Sequence, residues 1–346
     1  MKNVCYNQCI NLEGERVMKK SKKVLTILSI VLVVIFGVVL FYYFGAAYPE
    51  YNKIAKSEFD IVGLNDGFVP QGIAYDNQSN NFFLSGYMTD EKLPSRIYFA
   101  GSGEKAGSYV TLKVGGEDYF GHAGGIAVYG THMYVAGDGL VHEINLVDVL
   151  DANSGDAVDV TYTLEAENGA DCLTVYNGQL WVGEFYKKGK YETDESHHIE
   201  LESGEVNMAV SFAYELDGSG IVSDVPTCGL STPAQVQGLE FFGDGNLMIS
   251  TSYSLPDSKL YIFDGVMNQT PTNTIDVGGK TVPLYVISES MATKTINAPC
   301  MSEEIVLAND SIYILYESAC NKYKFFTRTR TRNVHSIQIE QLASAR

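Results

Sequence analysis

Beyond residue 57 the chain alternates apolar and polar side chains in short runs rich in Val, Ile, Tyr and Phe, cut by Gly, Asn and Asp. A period of two puts successive side chains on opposite faces of a strand, and no stretch carries the spacing of an amphipathic helix. One hairpin pattern recurs along the chain. Its copies are QGIAYDNQSNNFFLSGY from Gln71, GGIAVYGTHMYVAGD from Gly124, DCLTVYNGQLWVGEF from Asp171, QGLEFFGDGNLMISTSY from Gln237 and EEIVLANDSIYILYES from Glu303. Their spacings of 53, 47, 66 and 66 residues are uneven, so the longer intervals carry insertions.

A third strand is predicted after each hairpin, at 96–100, 141–146, 208–216, 259–264 and 334–339. A fourth follows in four copies, at 109–114, 158–164, 221–226 and 282–287. The fifth copy ends with the chain, and a spare strand at 59–64 has the phase to complete it. The expectation is an all-β, five-bladed β-propeller with four-stranded blades, its last blade closed by an N-terminal strand. Such closure leaves no exposed radial seam.

Ahead of this domain, residues 24–44 (VLTILSIVLVVIFGVVLFYYF) hold no charge. At about 1.5 Å per residue they span roughly 31 Å, enough to cross a bilayer as a transmembrane helix. Lys19, Lys20, Lys22 and Lys23 precede it and Glu50 is the nearest charge after it. The positive-inside rule then places residues 1–23 in the cytoplasm and the propeller outside, in a single-pass membrane protein. Gly45-Ala46-Ala47 offers a cleavage site for the alternative, a signal peptide. Met18 opens MKKSKK directly before the apolar run, so residues 1–17 read as a cytosolic stub or as an extension upstream of the true start. Residues 45–57 read as a linker, 58–342 as the propeller and 343–346 as a tail.

The whole chain carries −18; residues 1–23 hold six basic and two acidic side chains, leaving the outer portion near −22. That charge excludes nucleic acid as a partner and attracts cations. Outside the membrane, Cys172, Cys228, Cys300 and Cys320 permit three pairings. The turn of the fifth hairpin is centred near Asp310, which sets Cys300 opposite Cys320 and predicts a disulfide between them.

In a propeller the first strands line a central channel, so Gln71, Gly124, Asp171, Gln237 and Glu303 should converge on its mouth. His122, Gln235 and Glu304 are their neighbours. The second strands return to the same rim near Tyr87, Asp138, Glu184, Thr251 and Glu317, with Trp181 close by. Gln71, His122, Asp171, Gln237, Glu303, Glu184 and Glu317 are therefore the candidate ligand-binding residues. Their oxygens suit Ca²⁺, with Asp171 and Glu303 as the metal ligands, and paired carboxylates also suit glycoside or ester chemistry. Alternatively, the polar rim only satisfies backbone groups and water. Residues 187–205, with His197-His198 and many acids, read as a solvated insertion rather than a metal tract. The basic TRTRTR run at 327–332 reads as an edge segment that neutralises the domain's own acids. GxSxG, HExxH, a phosphate-binding glycine loop and a helix-loop-helix Ca²⁺ signature do not occur.

Val69-Pro70-Gln71-Gly72-Ile73 and Val236-Gln237-Gly238-Leu239-Glu240 resemble the TQGL-type strand start of the glutamine cyclotransferases. Those are five-bladed propellers that cyclise N-terminal glutamine to pyroglutamate. The resemblance covers the hairpins of the first and fourth copies and implies Gln71 or Gln237 as a pocket residue. The family's proton-transferring Glu in the second strand is replaced here by Leu84 and Ile249, so the resemblance supplies no catalytic acid. The fifth copy is also similar to a stretch of secreted propellers of Gram-positive bacteria. The anchored acidic architecture resembles the calcium-activated nucleotidases, whose motifs are absent. Three functions follow as expectations: a tethered propeller binding a small molecule, a peptide or Ca²⁺ at the channel mouth; an enzyme using rim carboxylates; or a protein-interaction scaffold.

Overall fold

The computed structural model describes residues 2–44 and 48–342, which fall into two compact units. One is a single helix, Lys2–Phe44, that runs through the expected cytosolic segment without a break. Within it Lys20–Phe41 is long and apolar enough to cross a membrane, a property that signal sequences share. The small residues at 45–47 and the tail at 343–346 lie outside the described residues.

The second unit begins at Tyr48. Where a linker was expected, Pro49–Ile54 forms a short helix with Pro in its first turn, where a missing N–H costs nothing. Tyr51 from this helix is buried and accepts a hydrogen bond from Tyr316 Oη at 2.6 Å. Its own hydroxyl lies 2.8 Å from His335 Nδ1, which ties the start of the unit to its last strands.

Strands pair antiparallel in successive groups of four, each called a sheet here, and the outer strands of the first two, Tyr109–Val114 and Ala157–Glu165, also pair in parallel. The first sheet is Phe68–Asp76, Asn81–Met88, Arg96–Ala100 and Tyr109–Val114, and the second is Ile126–Tyr129, His132–Gly137, Leu140–Asn145 and Ala157–Glu165. The third is Cys172–Tyr176, Gln179–Gly183, Ala209–Asp217 and Cys228–Thr232; the fourth is Val236–Phe242, Asn246–Thr251, Ser258–Phe263 and Lys294–Ala298. The last combines Ser302–Ala308, Ser311–Tyr316 and Asn333–Gln338 with Lys56–Asp60 from the start of the unit. The innermost strand of each sheet neighbours those of the next and the previous one, and Ser302–Ala308 neighbours Phe68–Asp76. The arrangement is that of a β-propeller.

Three expectations shift. The closing strand is 56–60 rather than 59–64, because the chain turns through Gly63 and Gly67 in the left-handed region. The outer strand of the third sheet is Cys228–Thr232, not 221–226. Residues 280–286 belong to an inserted hairpin, Asn273–Val277 and Lys280–Val286, turned by Gly278-Gly279; it runs parallel to Cys228–Thr232 and leaves Lys294–Ala298 as the fourth sheet's outer strand.

The core lies between sheets. Met133 and Val135 pack with Phe83, Phe99 and Leu112 of the first sheet, while Tyr134 and Ala136 pack with Leu180, Val182 and Phe212 of the third. Trp181, one residue out of phase with Leu180 and Val182, packs with Phe241 and Ile249 of the fourth. Alternation in sequence thus becomes burial on two faces, as sandwiched sheets require. It also removes Trp181 from the rim, where it was expected, since its side chain is fully buried.

The four cysteines of this unit are free, and Cys300 and Cys320 are both buried thiols rather than the predicted disulfide. The turn is Asn309-Asp310, and a register shift between Ser302 and Ile305 sets Ser302 opposite Tyr316. The strand ends there, and Cys320 lies in a turn, donating its N–H to Glu317 O. Simple counting from the turn therefore places it wrongly.

Candidate functional site

Several inner strands begin with an irregularity that aims side chains at the axis. Pro70 pairs with Gly86 and Gly72 with Ser85, so Gln71 is the extra residue of a bulge. Gln237 is extra in the same way between Val236 and Gly238, and the two residues Glu303 and Glu304 fall in the shift of the last sheet. Just upstream, Ala123, Ala170, Gln235 and Met301 hold left-handed backbone, an unfavourable conformation for residues with a Cβ. Bulges and local strain of this kind re-aim side chains at sites.

The result is one cavity of about 850 Å³. Gln71, His122, Asp171, Gln237, Glu303 and Glu317 all line it, from five different sheets or the loops that lead into them. Glu184 does not. It lines an adjoining cavity of about 560 Å³, where its carboxylate sits 2.8 Å from His197 Nδ1 and accepts Val210 N–H at 2.9 Å. The 187–205 insertion is thus anchored rather than solvated at His197, which is buried. The TRTRTR run behaves as expected in part, with Arg328 paired to Asp257.

The mouth carries a directed hydrogen-bond chain. Gln71 Nε2 donates to Pro70 O at 2.8 Å and to Glu317 Oε2 at 3.0 Å. Both partners are pure acceptors, so the amide orientation is fixed and Gln71 Oε1 faces His122 Nε2 at 2.6 Å as an acceptor. His122 therefore carries its proton on Nε2. Burial lowers its pKa, keeping the ring neutral, with Lys322 adding to the effect and Asp138 opposing it. Burial pushes up both Glu303 and Glu317, Glu303 further, so Glu303 retains a proton that it donates to Glu317. Across the cavity, burial raises Asp171 to about 7 although Phe185 N–H donates to its Oδ2 at 2.7 Å.

Aromatic and basic residues that the sequence pattern does not reveal complete the wall: Tyr253, Tyr323, Phe326, Lys190 and Lys322. They come from the loops after the second strands, whose paths have no periodic signal. Lys322 Nζ donates to Tyr87 Oη at 2.7 Å, and the Tyr87 ring lies 5.0 Å from that of His122.

One residue further along the same strands the axis is closed. The aligned positions are Gly72, Gly125, Cys172, Gly238 and Glu304. The buried Glu304 carboxylate accepts backbone N–H groups from three sheets, Ile73 at 2.8 Å, Ile126 at 2.9 Å and Leu173 at 2.7 Å. A Cβ on Gly125 would fall 2.7 Å from Glu304 Oε1, and one on Gly238 2.7 Å from Glu304 Cα. Burial pushes the Glu304 pKa well up, against three donors that favour the ionised form. Two residues further along the fourth sheet's inner strand, Glu240 is pushed up to about 8 by burial and accepts a hydrogen bond from Thr174 Oγ1 at 3.0 Å.

Among the described residues no group of three or more His, Cys, Asp or Glu side chains is arranged to hold a metal ion. Asp171 and Glu303 thus share the cavity without forming such a cluster.

No family model and no curated protein matches the chain. Several solved structures are similar to it. One is the PQQ-bound aldose sugar dehydrogenase of Streptomyces coelicolor, at 11% identity over 82% of this chain and 96% of that one, TM-score 0.43. Another is the WD40 β-propeller domain of Doa1, at 9% identity over 84% and 97%, TM-score 0.37. The Dos1 propeller aligns at 10% identity over 82% and 75%, TM-score 0.32. Scores and identities this low carry no activity or ligand across to this chain.

Proposed function

We propose that the chain is a membrane-tethered, five-bladed propeller that binds a small polar ligand at the mouth of its central channel, outside the cytoplasm. The observation that carries this reading is the convergence of Gln71, His122, Asp171, Gln237, Glu303 and Glu317 on one cavity above a sealed axis. A concave site with a few convergent polar groups and shifted pKa values is what ligand binding requires. The full chain in detergent, melted against a library of small polar metabolites and against Ca²⁺ or EDTA, tests it. A ligand should raise the melting temperature, and Asp171→Asn with Gln237→Ala should abolish the rise. Shifts that survive both substitutions would overturn the reading; a rise with Ca²⁺ alone would favour the cation.

A second reading, catalysis, is favoured by the Glu303–Glu317 pair beside a neutral histidine, an acid and a base held within one cavity. Glu317 reaches Gln71 from a neighbouring sheet, a different route from the second-strand acid of the glutamine cyclotransferases. Turnover of glutaminyl peptides that is lost in Glu317→Gln and retained in Glu184→Gln would support it; equal turnover in all three proteins would remove it.

A further inference from the structure

Both lysines that line the mouth hold their heads among tyrosines, and Lys322 Nζ donates to Tyr87 Oη at 2.7 Å, at the hydroxyl edge of that ring. Lys322 Nζ is 4.9 Å from the Tyr87 ring centroid and 5.1 Å from that of Tyr323, while Lys190 Nζ is 4.9 Å from Tyr191 and 5.6 Å from Tyr253. The same cavity is lined by the carboxyl groups of Asp138, which is exposed, and of Asp171, Glu303 and Glu317, and by His122. Lys322 is exposed, and it leaves a turn rather than a strand. The cavity thus combines two features that attract an organic cation, tyrosine rings with hydroxyl acceptors and several carboxyl groups, of which Glu303 is buried and Asp171 and Glu317 are half-buried. A hard metal ion would make no use of the rings, and an anion would meet four carboxyl groups.

We propose that the mouth recognises an alkylammonium group, carried by a free amine or by the amino end of a peptide, and that Lys322 is its built-in competitor. The inference rests on the reading of the mouth as a ligand site. An incoming ammonium displaces the Lys322 head from Tyr87 and Tyr323 and takes its place above Glu317. It also favours the ionised carboxylates. Asp171, raised to about 7 by burial, and the proton on Glu303 are then the sources of proton release on binding. Lys190, Lys322 and His122 line the same space, and an entering cation disfavours added positive charge beside it. Affinity must therefore rise with pH across roughly pH 5 to 8.

Calorimetry on the full chain in detergent tests this with three molecules of one length, cadaverine, pentanediol and glutarate. Two buffers of different ionisation heat are used to count protons. Cadaverine should bind with proton release, about tenfold tighter at the upper end of that pH range, with its neutral and anionic counterparts at least about tenfold weaker. Lys322→Met, at an exposed position that leaves folding intact, should tighten cadaverine about tenfold by removing the competitor, and Glu303→Gln should weaken it. A dipeptide amide with a free amino end, compared with its acetylated form, separates a peptide source from a free amine. Pentanediol or glutarate binding as tightly as cadaverine, or a Lys322→Met protein of unchanged affinity, overturns the ammonium assignment. Such binding, if it still depends on Glu303, leaves the mouth a ligand site for another chemistry. Failure of cadaverine to bind the intact chain and Lys322→Met alike also overturns it.

Discussion

Two adjacent layers of the same channel solve opposite problems. The mouth layer, Gln71, Gly124, Asp171, Gln237 and Glu303, opens into a cavity whose acids burial holds in protonated or easily protonated forms. The layer one residue deeper, Gly72, Gly125, Cys172, Gly238 and Glu304, holds one acid among small residues, and that acid is satisfied by three backbone donors. A buried carboxyl with fixed donors contributes to structure, whereas a buried carboxyl with few fixed donors is poised to meet a ligand. The lesson is that burial of an acid does not identify a site; the number and rigidity of its donors do.

The largest test of this contrast removes the deep acid. Glu304→Ala leaves the N–H groups of Ile73, Ile126 and Leu173 without their acceptor, at about 1–3 kcal/mol each. The full chain should lose at least about 3 kcal/mol in denaturant titration, whereas Glu303→Gln should change stability little or raise it. Equal losses in the two proteins would erase the distinction between the layers.

Much of this was legible in sequence. The recurring hairpins and their alternation identified the inner strands, and six of the seven candidates line the cavity: four from the aligned strand starts, His122 from their neighbours and Glu317 from a second-strand end. What alternation could not show was where strands bulge. Gln71 and Glu303 reach the axis because of register shifts that no side-chain pattern encodes. Glu184 was misplaced because its carboxylate turns to His197, on a loop with no periodicity. The outer strand of the fourth sheet was misread because the inserted hairpin, Asn273–Val286, alternates as any edge strand does, and that of the third because Gly220-Ile221 only extends the hairpin turn after Ala209–Asp217. The deep role of Glu304 had a signal that went unused. Glycine stands at three of the four aligned positions around it, which is what a single bulky side chain on the axis demands.

A second, smaller effect sharpens the mouth's side of the comparison through pH. The folded-state pKa of Asp171 is raised from 3.8 to about 7, so between those values the native state binds more protons than the unfolded chain. Its contribution to stability is then greatest at the acid end and declines as pH rises through the window, by up to about 1.4 kcal/mol per pH unit. Asp171→Asn should flatten that decline between about pH 5 and 7, measured as denaturation midpoints of the full chain relative to the parent. An unchanged slope would mean that Asp171 is ionised throughout and that the mouth is wetter than its burial implies.

The smallest effect compares two neighbouring glycines. A Cβ on Gly125 would meet Leu173 N at 2.6 Å, Cys172 Cα at 2.7 Å and Glu304 Oε1 at 2.7 Å, atoms of backbone or of the fixed acid. On Gly124, in the mouth layer, only Asp171 O at 2.8 Å is closer than 3 Å, and the next atom, His122 Cδ2, lies at 3.4 Å. Overpacking typically costs about 1–3 kcal/mol, so Gly125→Ala should fall near the top of that range and Gly124→Ala near the bottom. The order matters more than the size. The deep layer is jammed on three sides because its neighbours are held by Glu304, whereas the mouth can yield on the cavity side. If Gly124→Ala proves the costlier of the two, the mouth is as tightly packed as the layer beneath it, and the cavity does not give its rim the freedom a ligand site needs.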